Sequence, residues 1–179
     1  REEIYDLLLQ LGAELETRYE SIERGGTGGR RMFLFVEESN LVNLALNEHW
    51  LSNKPADGPK RSPARDALGK LLFAGREAKI HVVSVFQLMT VAAVGGTELR
   101  EQFGARILSR ATPNAWRMLA DRPLPATAAG EPRPGFMHVV IAGGRDVPVQ
   151  VPFWTDEEAR EWAAPDRVDV GRRPSRVEK

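Results

Sequence analysis

The 179-residue chain has no cysteine, which excludes disulfides, thiolate zinc sites and thiol nucleophiles and fits a cytosolic protein. No apolar run approaches the ~20 residues that a helix needs to cross a bilayer. The opening Arg1-Glu2-Glu3 has no signal-peptide character; it starts an amphipathic helix in mid-stride, so the chain reads as a piece of a longer polypeptide. Charge of either sign is also missing in bulk, since Lys+Arg and Asp+Glu balance at 25 each. A nucleic-acid partner would therefore need a local basic patch. Histidine is scarce: His49, His81 and His138 lie far apart, too scattered for a metal triad or a Ser-His-Asp arrangement. Strand positions make His81 and His138 read as core or edge residues. What the chain does have is 42% hydrophobic residues, enough for one domain or the larger part of one.

Ile4, Leu7, Leu8, Leu11, Leu15 and Tyr19 recur at helical spacing, and Gly25-Gly26-Thr27-Gly28-Gly29 ends that helix and hinges into a strand over Met32–Val36. A short helix is expected from Leu41 to Leu51, a polar loop from Asn53 to Pro63, and a helix from Ala64 to Ala78. Ile80 to Phe86 forms a second buried-strand pattern that stops at Gln87. A helix near Glu98–Phe103 precedes a third strand, Ala105 to Ala111, and Pro113-Asn114 cap a helix through Leu119. After a Pro-rich loop (Pro123 to Pro134), Phe136–Ala142 and Val147–Phe153 pattern as a hairpin turned through Gly143 to Asp146. Thr155 with Glu158 makes a capping-box start for a last helix. The organisation is thus 1–30 helix and Gly-rich hinge, 31–163 main unit, and 164–179 a mobile or docked tail. Strands alternating with helices and closing in a hairpin give an α/β fold with a mainly parallel sheet flanked by helices.

The chemistry concentrates at Phe35-Val36-Glu37-Glu38-Ser39-Asn40. Five apolar residues, Met32 to Val36, fit a strand buried on both faces, and two adjacent carboxylates follow where the chain leaves the sheet. Ligands of open α/β sheets sit at the carboxyl ends of strands. Strand, two acids, then helix is the outline of a Walker B segment, in which the first acid orients the Mg²⁺ of a nucleotide and the second polarises the attacking water. A surface turn that carries two glutamates is the other reading. Gly25–Gly29 is glycine-rich but lacks Gly-Lys-Ser/Thr and runs helix-to-strand, so it reads as a hinge and not a phosphate loop. A complete ATP site is therefore absent from these residues. Gln87, at the tip of the second strand, reads as a γ-phosphate sensor or an ordinary strand-end glutamine. Arg100, Arg106, Arg110 and Arg117 cluster around the third strand; any could serve a neighbouring subunit's phosphoryl group, or be structural. Lys60, Arg61, Arg65 and Lys70 suit a phosphate backbone, and equally a solvated loop and helix face.

In order, these pieces resemble the C-terminal half of the motor domain of the FtsK/SpoIIIE family of DNA translocases, most of all actinobacterial members linked to conjugative plasmid transfer. Phe35 to Asn40 resembles their Walker B, and Gly75 to Gln87 their "GR…GIH" block ending in Ala-Thr-Gln. Ala105-Arg106-Ile107-Leu108 is similar to the "TRI" strand, Asn114 to Leu119 to the "S-R-x-x-L" helix, Pro134-Gly135-Phe136 to Pro-Gly-Arg-Gly, and Phe153 to Glu158 to the closing "hhSDEE" stretch. The resemblance spans roughly Arg31 to Trp162. It implies a RecA-like P-loop NTPase fold with the Walker A half lying outside these residues. It further implies a ring, a hexamer in the family, that pumps double-stranded DNA with ATP and Mg²⁺ bound at subunit interfaces. Glu38 would be the general base, Glu37 the Mg²⁺ ligand through water, Gln87 the sensor, and Arg106 the arginine donated in trans. The family pattern places the motor in the cytoplasm, tethered to the membrane through upstream segments where it is tethered at all. Three departures stand out: Glu37 where most members carry Asp, Leu88-Met89 where Arg-Pro follows the sensor, and no small winged-helix DNA-orienting domain. A type VII secretion module that moves protein, or a degenerate module that serves only as a ring or docking element, are the rival readings.

Overall fold

The computed structural model describes residues 2–126 and 133–164. The tail expected at 164–179 and the middle of the Pro-rich loop lie, but for residue 164 itself, outside the described residues. Helix α1 (Glu2–Glu23) runs into strand β1 (Met32–Val36), followed by α2 (Ser39–Asn53), α3 (Pro63–Ala74) and β2 (Ile80–Ser84). Two short helices, α4 (Val91–Val94) and α5 (Thr97–Glu101), lead to β3 (Ala105–Leu108) and α6 (Pro113–Ala120). Strands β4 (Phe136–Ile141) and β5 (Asp146–Gln150) precede α7 (Asp156–Ala163).

The fold is mixed α/β, but its sheet is not the single, mainly parallel one expected. β1 and β2 pair in parallel, Met32 opposite Ile80 and Val36 opposite Ser84, while β3, β4 and β5 form a separate antiparallel sheet. The hairpin is present as read from the sequence, β4 against β5. The third strand is the correction: it pairs antiparallel with β4, Ala105 opposite Ile141, and not alongside β2. Apolar patterning reports burial and says nothing about the direction of the partner strand.

The inner face of the parallel pair is covered by α1 and α3. Leu34 and Val82 pack on a cluster of Tyr5, Leu8, Leu46, Ala64 and Leu68, and Met32 packs with Ile80, Leu15, Leu71 and Ala78. Helix α1 thus belongs to the same core as the strands. It approaches α3 closely at Gly12, where an added Cβ would stand 3.1 Å from the Cβ of Ala67. Its buried stripe runs through Tyr5, Leu8 and Leu15; Ile4 and Leu7 lie exposed, so the helix is rotated from the face expected. Arg18 ties the glycine hinge to this core: its Nη1 donates to the carbonyls of Arg30 (2.8 Å) and Ala78 (3.0 Å), and its Nε to Glu14 (2.7 Å).

The outer face of the pair is open. Phe33 is 55% and Phe35 73% exposed, with Val83 and Val85 beside them, so β1 is not buried on both faces as its composition suggested. All-parallel sheets are stable with both faces covered, and among the described residues only one layer of helices lies on this one. The second core lies under β3–β5, where Trp116 of α6, 1% exposed, packs with Ala120 and Val140 and meets His138 edge-on at 5.1 Å. Thr112, and not Asn114, caps α6, with Pro113 in its first turn.

The capping box of α7 forms as the sequence indicates. Glu158 N donates to Thr155 Oγ1 (3.2 Å), and the Glu158 carboxylate accepts from Thr155 N (2.7 Å) and Oγ1 (2.9 Å). The Thr155 amide, and then its hydroxyl, hold the Glu158 carboxyl below its ordinary 4.5. A depressed carboxyl supports the helix above its unfolded-state pKa and loses that support as pH falls through the folded one. Acidification below about pH 4.5 is therefore expected to fray α7. Amide exchange at 156–159 checks this, and Thr155→Ala should flatten the pH dependence.

Candidate functional site

β1 ends at Val36, and the chain must turn within two residues to start α2 at Ser39. Glu38 makes the turn in the left-handed region (φ 50°, ψ 45°), a conformation that costs a non-glycine residue about 1–2 kcal/mol. Its carbonyl accepts the first helical bonds, from Leu41 N (2.8 Å) and Val42 N (3.0 Å). Ser39, buried behind it, closes the corner: its Oγ donates to Val36 O and its N to Val85 O, each at 2.9 Å. Val85 N returns a bond to Val36 O at 2.9 Å. The tips of β1 and β2 are thereby knitted together, and the strain at Glu38 is held by its surroundings, the pattern met at functional turns.

This corner brings together the residues expected to share a site. Gln87 Nε2 donates to Glu38 Oε2 at 3.1 Å. Glu37 is exposed at the same strand end, with no protein hydrogen bond or ion pair among the described residues. An acid left open beside a second acid suits Mg²⁺, which takes one or two carboxylates and fills its remaining positions with water and phosphate oxygens. Among the described residues no group of three His, Cys, Asp or Glu could hold a metal by itself. A Mg²⁺ here would depend on Glu37 and on the oxygens of a nucleotide.

Arg106 is placed differently from its expected role. Its guanidinium turns inward, donating to the carbonyls of Leu119 (2.6 Å) and Arg100 (3.1 Å) at the ends of α6 and α5, and the side chain is 12% exposed. Cations at helix C-termini satisfy orphan carbonyls and the dipole, and that is what this arginine does. Arg100 is also mostly covered, beside Glu101. Arg110 and Arg117 are exposed, and Arg110 has a left-handed backbone (φ 51°) just after β3.

The histidines stay apart. His49 lies against Tyr5 at 5.0 Å, His81 stacks on Phe33 at 5.2 Å, and His138 is buried with Nδ1 3.3 Å from Asp146. Lys60, Arg61, Arg65 and Lys70 line an open cleft of about 860 Å³ between α1, α3 and the 94–99 segment, in company with Glu16, Asp66 and Glu98. Lys70 Nζ is drawn to Glu16 at 2.8 Å.

The sequence reading assigned no role to Ser39, Asn40 or Asn43, although the first two lie in the Walker B-like segment. Asn40 Nδ2 donates to Leu88 O (3.1 Å), and the buried Asn43 Nδ2 to Ala93 O and Ser39 O (3.0 Å each). The signal was available: α2 carries amides at Asn40, Asn43 and Asn47 where a core-facing helix would ordinarily carry aliphatic residues. No described helix is long and apolar enough to cross a membrane. No protein-family model matches the chain, and no curated protein matches it.

Proposed function

We propose that this chain is the carboxylate-bearing half of a RecA-like motor domain in a ring-forming, ATP-driven translocase of double-stranded DNA of the FtsK/SpoIIIE type. The observation that carries the reading is the Glu38–Gln87 contact at the carboxyl ends of two adjacent parallel strands, with Glu37 open beside it. In open α/β sheets ligands sit at such strand ends. Glu38 accepts a proton from the attacking water, Gln87 orients the carboxylate and senses the γ-phosphate, and Glu37 holds Mg²⁺ through water. The magnesium ion, when bound with nucleotide, neutralises charge on the phosphoryl oxygens. The open outer face of β1 and β2 supports the reading that a further layer, containing the phosphate-cradling loop, completes the sheet. The DNA cargo rests on the resemblance alone, since the cleft that holds Lys60, Arg61, Arg65 and Lys70 also holds Glu16, Asp66 and Glu98.

Calorimetric titration separates the parts of this reading. The amides of a phosphate loop and its lysine supply most nucleotide contacts, so ATP·Mg²⁺ added to this chain alone gives no micromolar binding. A polypeptide in which a strand, Gly-x-x-x-x-Gly-Lys-Ser/Thr loop and helix precede Arg1 binds ATP, and duplex DNA stimulates its hydrolysis. Micromolar binding to the chain alone overturns the assignment of an incomplete site. Binding without hydrolysis in the longer polypeptide favours a degenerate ring element, and stimulation by peptide instead of DNA favours protein secretion.

A further inference from the structure

The Glu38–Gln87 contact depends on where the segment after β2 runs, and that segment has little structure of its own. Between Ser84 and Val91 it pairs with no strand beyond Val85, and its internal bonds include Thr90 N to Leu88 O (3.0 Å), Ala93 N to the Thr90 hydroxyl (3.1 Å) and Val94 N to Thr90 O (3.2 Å). Phe86, Met89 and Val94 pack it against Leu99, Phe103 and Leu119, and its side-chain hydrogen bonds run to α2. Asn40 and Asn43, three residues apart and so on one helix face, donate to Leu88 O and Ala93 O at its two ends. Asn43 is 8% exposed, and its amide also bonds Ser39 O one turn back, which fixes its rotamer. Asn40 could not be reversed without turning its Oδ1 onto the Leu88 carbonyl. Leu88 directly follows Gln87, so the Asn40 bond is adjacent to the residue whose aim matters. Neither asparagine bonds the Glu38 carboxylate itself. Helix, acid and amide form one closed circuit: Glu38 begins α2, α2 docks the 88–93 segment, and that segment returns Gln87 to Glu38.

We propose that Asn40 and Asn43 are positioning residues, docking the 88–93 segment on α2 and thereby seating the Gln87 amide on the Glu38 carboxylate. The inference rests on the carboxylate site proposed above, but the contact it explains can be read without any nucleotide.

The test uses the full chain labelled with ¹⁵N. The Gln87 side-chain NH₂ resonance is identified by its loss in Gln87→Ala. In the unaltered chain it should shift when Glu38→Gln is introduced, which reports the pair. Asn40→Asp and Asn40→Leu both remove the donor and keep the branching of the side chain, one with charge and one without. In either, the Gln87 resonance should stop responding to Glu38→Gln. Backbone amides at 88–94 should exchange about tenfold faster, as the loss of one such hydrogen bond implies. Amides of β1, β2 and α1 should keep their rates. Asn43→Ser repeats the experiment at the other end of the segment. A Gln87 signal that still follows Glu38 in the Asn40 and Asn43 variants overturns the proposal. So does equal acceleration of exchange across the whole core, which would make the asparagines generally structural. In a hydrolysing motor the same variants should lower kcat with KM for ATP unchanged. A motor that does not hydrolyse ATP sinks the proposed function and leaves the resonance test to decide this inference alone.

Discussion

Glu38→Gln, in a polypeptide that carries the phosphate-cradling half, should bind ATP·Mg²⁺ as tightly as the unaltered protein and hydrolyse it ~10²–10⁴-fold more slowly. The substitution is close to isosteric. A glutamine carbonyl at position 38 still accepts from Gln87 Nε2, now 3.1 Å from Glu38 Oε2, so the corner keeps its shape. The left-handed turn at this position and the Ser39 bonds that stabilise it belong to the backbone and to a neighbour. What disappears is the capacity to take a proton from water. Steady-state turnover with a fluorescent-nucleotide binding titration separates the effects, since loss of binding would report a damaged fold. Turnover at the original rate with binding intact would move the base to Glu37, the acid that is open at the same strand end. It would also remove the main support for an NTPase reading, because among the described residues at this strand end only Glu38 and Gln87 pair an acid with an amide side chain.

The corner was legible in the sequence for a physical reason. An apolar run has to end where the chain leaves the core, and paired carboxylates there are placed by the strand itself. Likewise Thr155 and Glu158 are four positions of local chemistry, and their box closes without help from the rest of the molecule. Features that depend on distant partners were not legible. Met32 to Val36 carries as much apolar surface as a strand buried on both faces, yet Phe33 and Phe35 are exposed because cover comes from other segments. The direction of β3 depends on β4, which arrives some thirty residues later, beyond α6. Arg106 lies at a place where the ends of α5 and α6 happen to converge, and their carbonyls and the Glu101 carboxylate turn it inward. Asn40 and Asn43 were readable as polar intrusions on a helix, but their targets, two carbonyls some fifty residues away, were not.

If the chain works as the ring proposed above, the inward turn of Arg106 changes which arginine should serve a neighbouring subunit. Mixing subunits that carry Arg106→Ala with subunits that carry Glu38→Gln should restore no ATPase activity. Arg106→Ala should instead destabilise its own subunit, since two carbonyls lose a charged donor worth ~1.5–3 kcal/mol per bond. Arg110 is the better candidate in trans. It sits just past β3, exposed, in a left-handed conformation that an arginine adopts only at a cost in strain, and no protein group among the described residues holds its guanidinium. Strain retained at an exposed cation is the observation from which a functional role is argued. A trans arginine is worth ~10³–10⁵ in rate where its removal has been measured in other NTPases. Arg110→Ala alone should therefore be nearly inactive while melting at the temperature of the unaltered protein. Mixed at equal ratio with Glu38→Gln subunits, it should regain activity, because some interfaces pair an intact Glu38 with an intact Arg110 from the adjacent subunit. Activity returning with Arg106→Ala, and not with Arg110→Ala, would mean that the inward bonds of Arg106 break when the ring assembles. A silent Arg110 mixture that still elutes as a ring leaves Arg117, on the exposed face of α6, as the residue to exchange next.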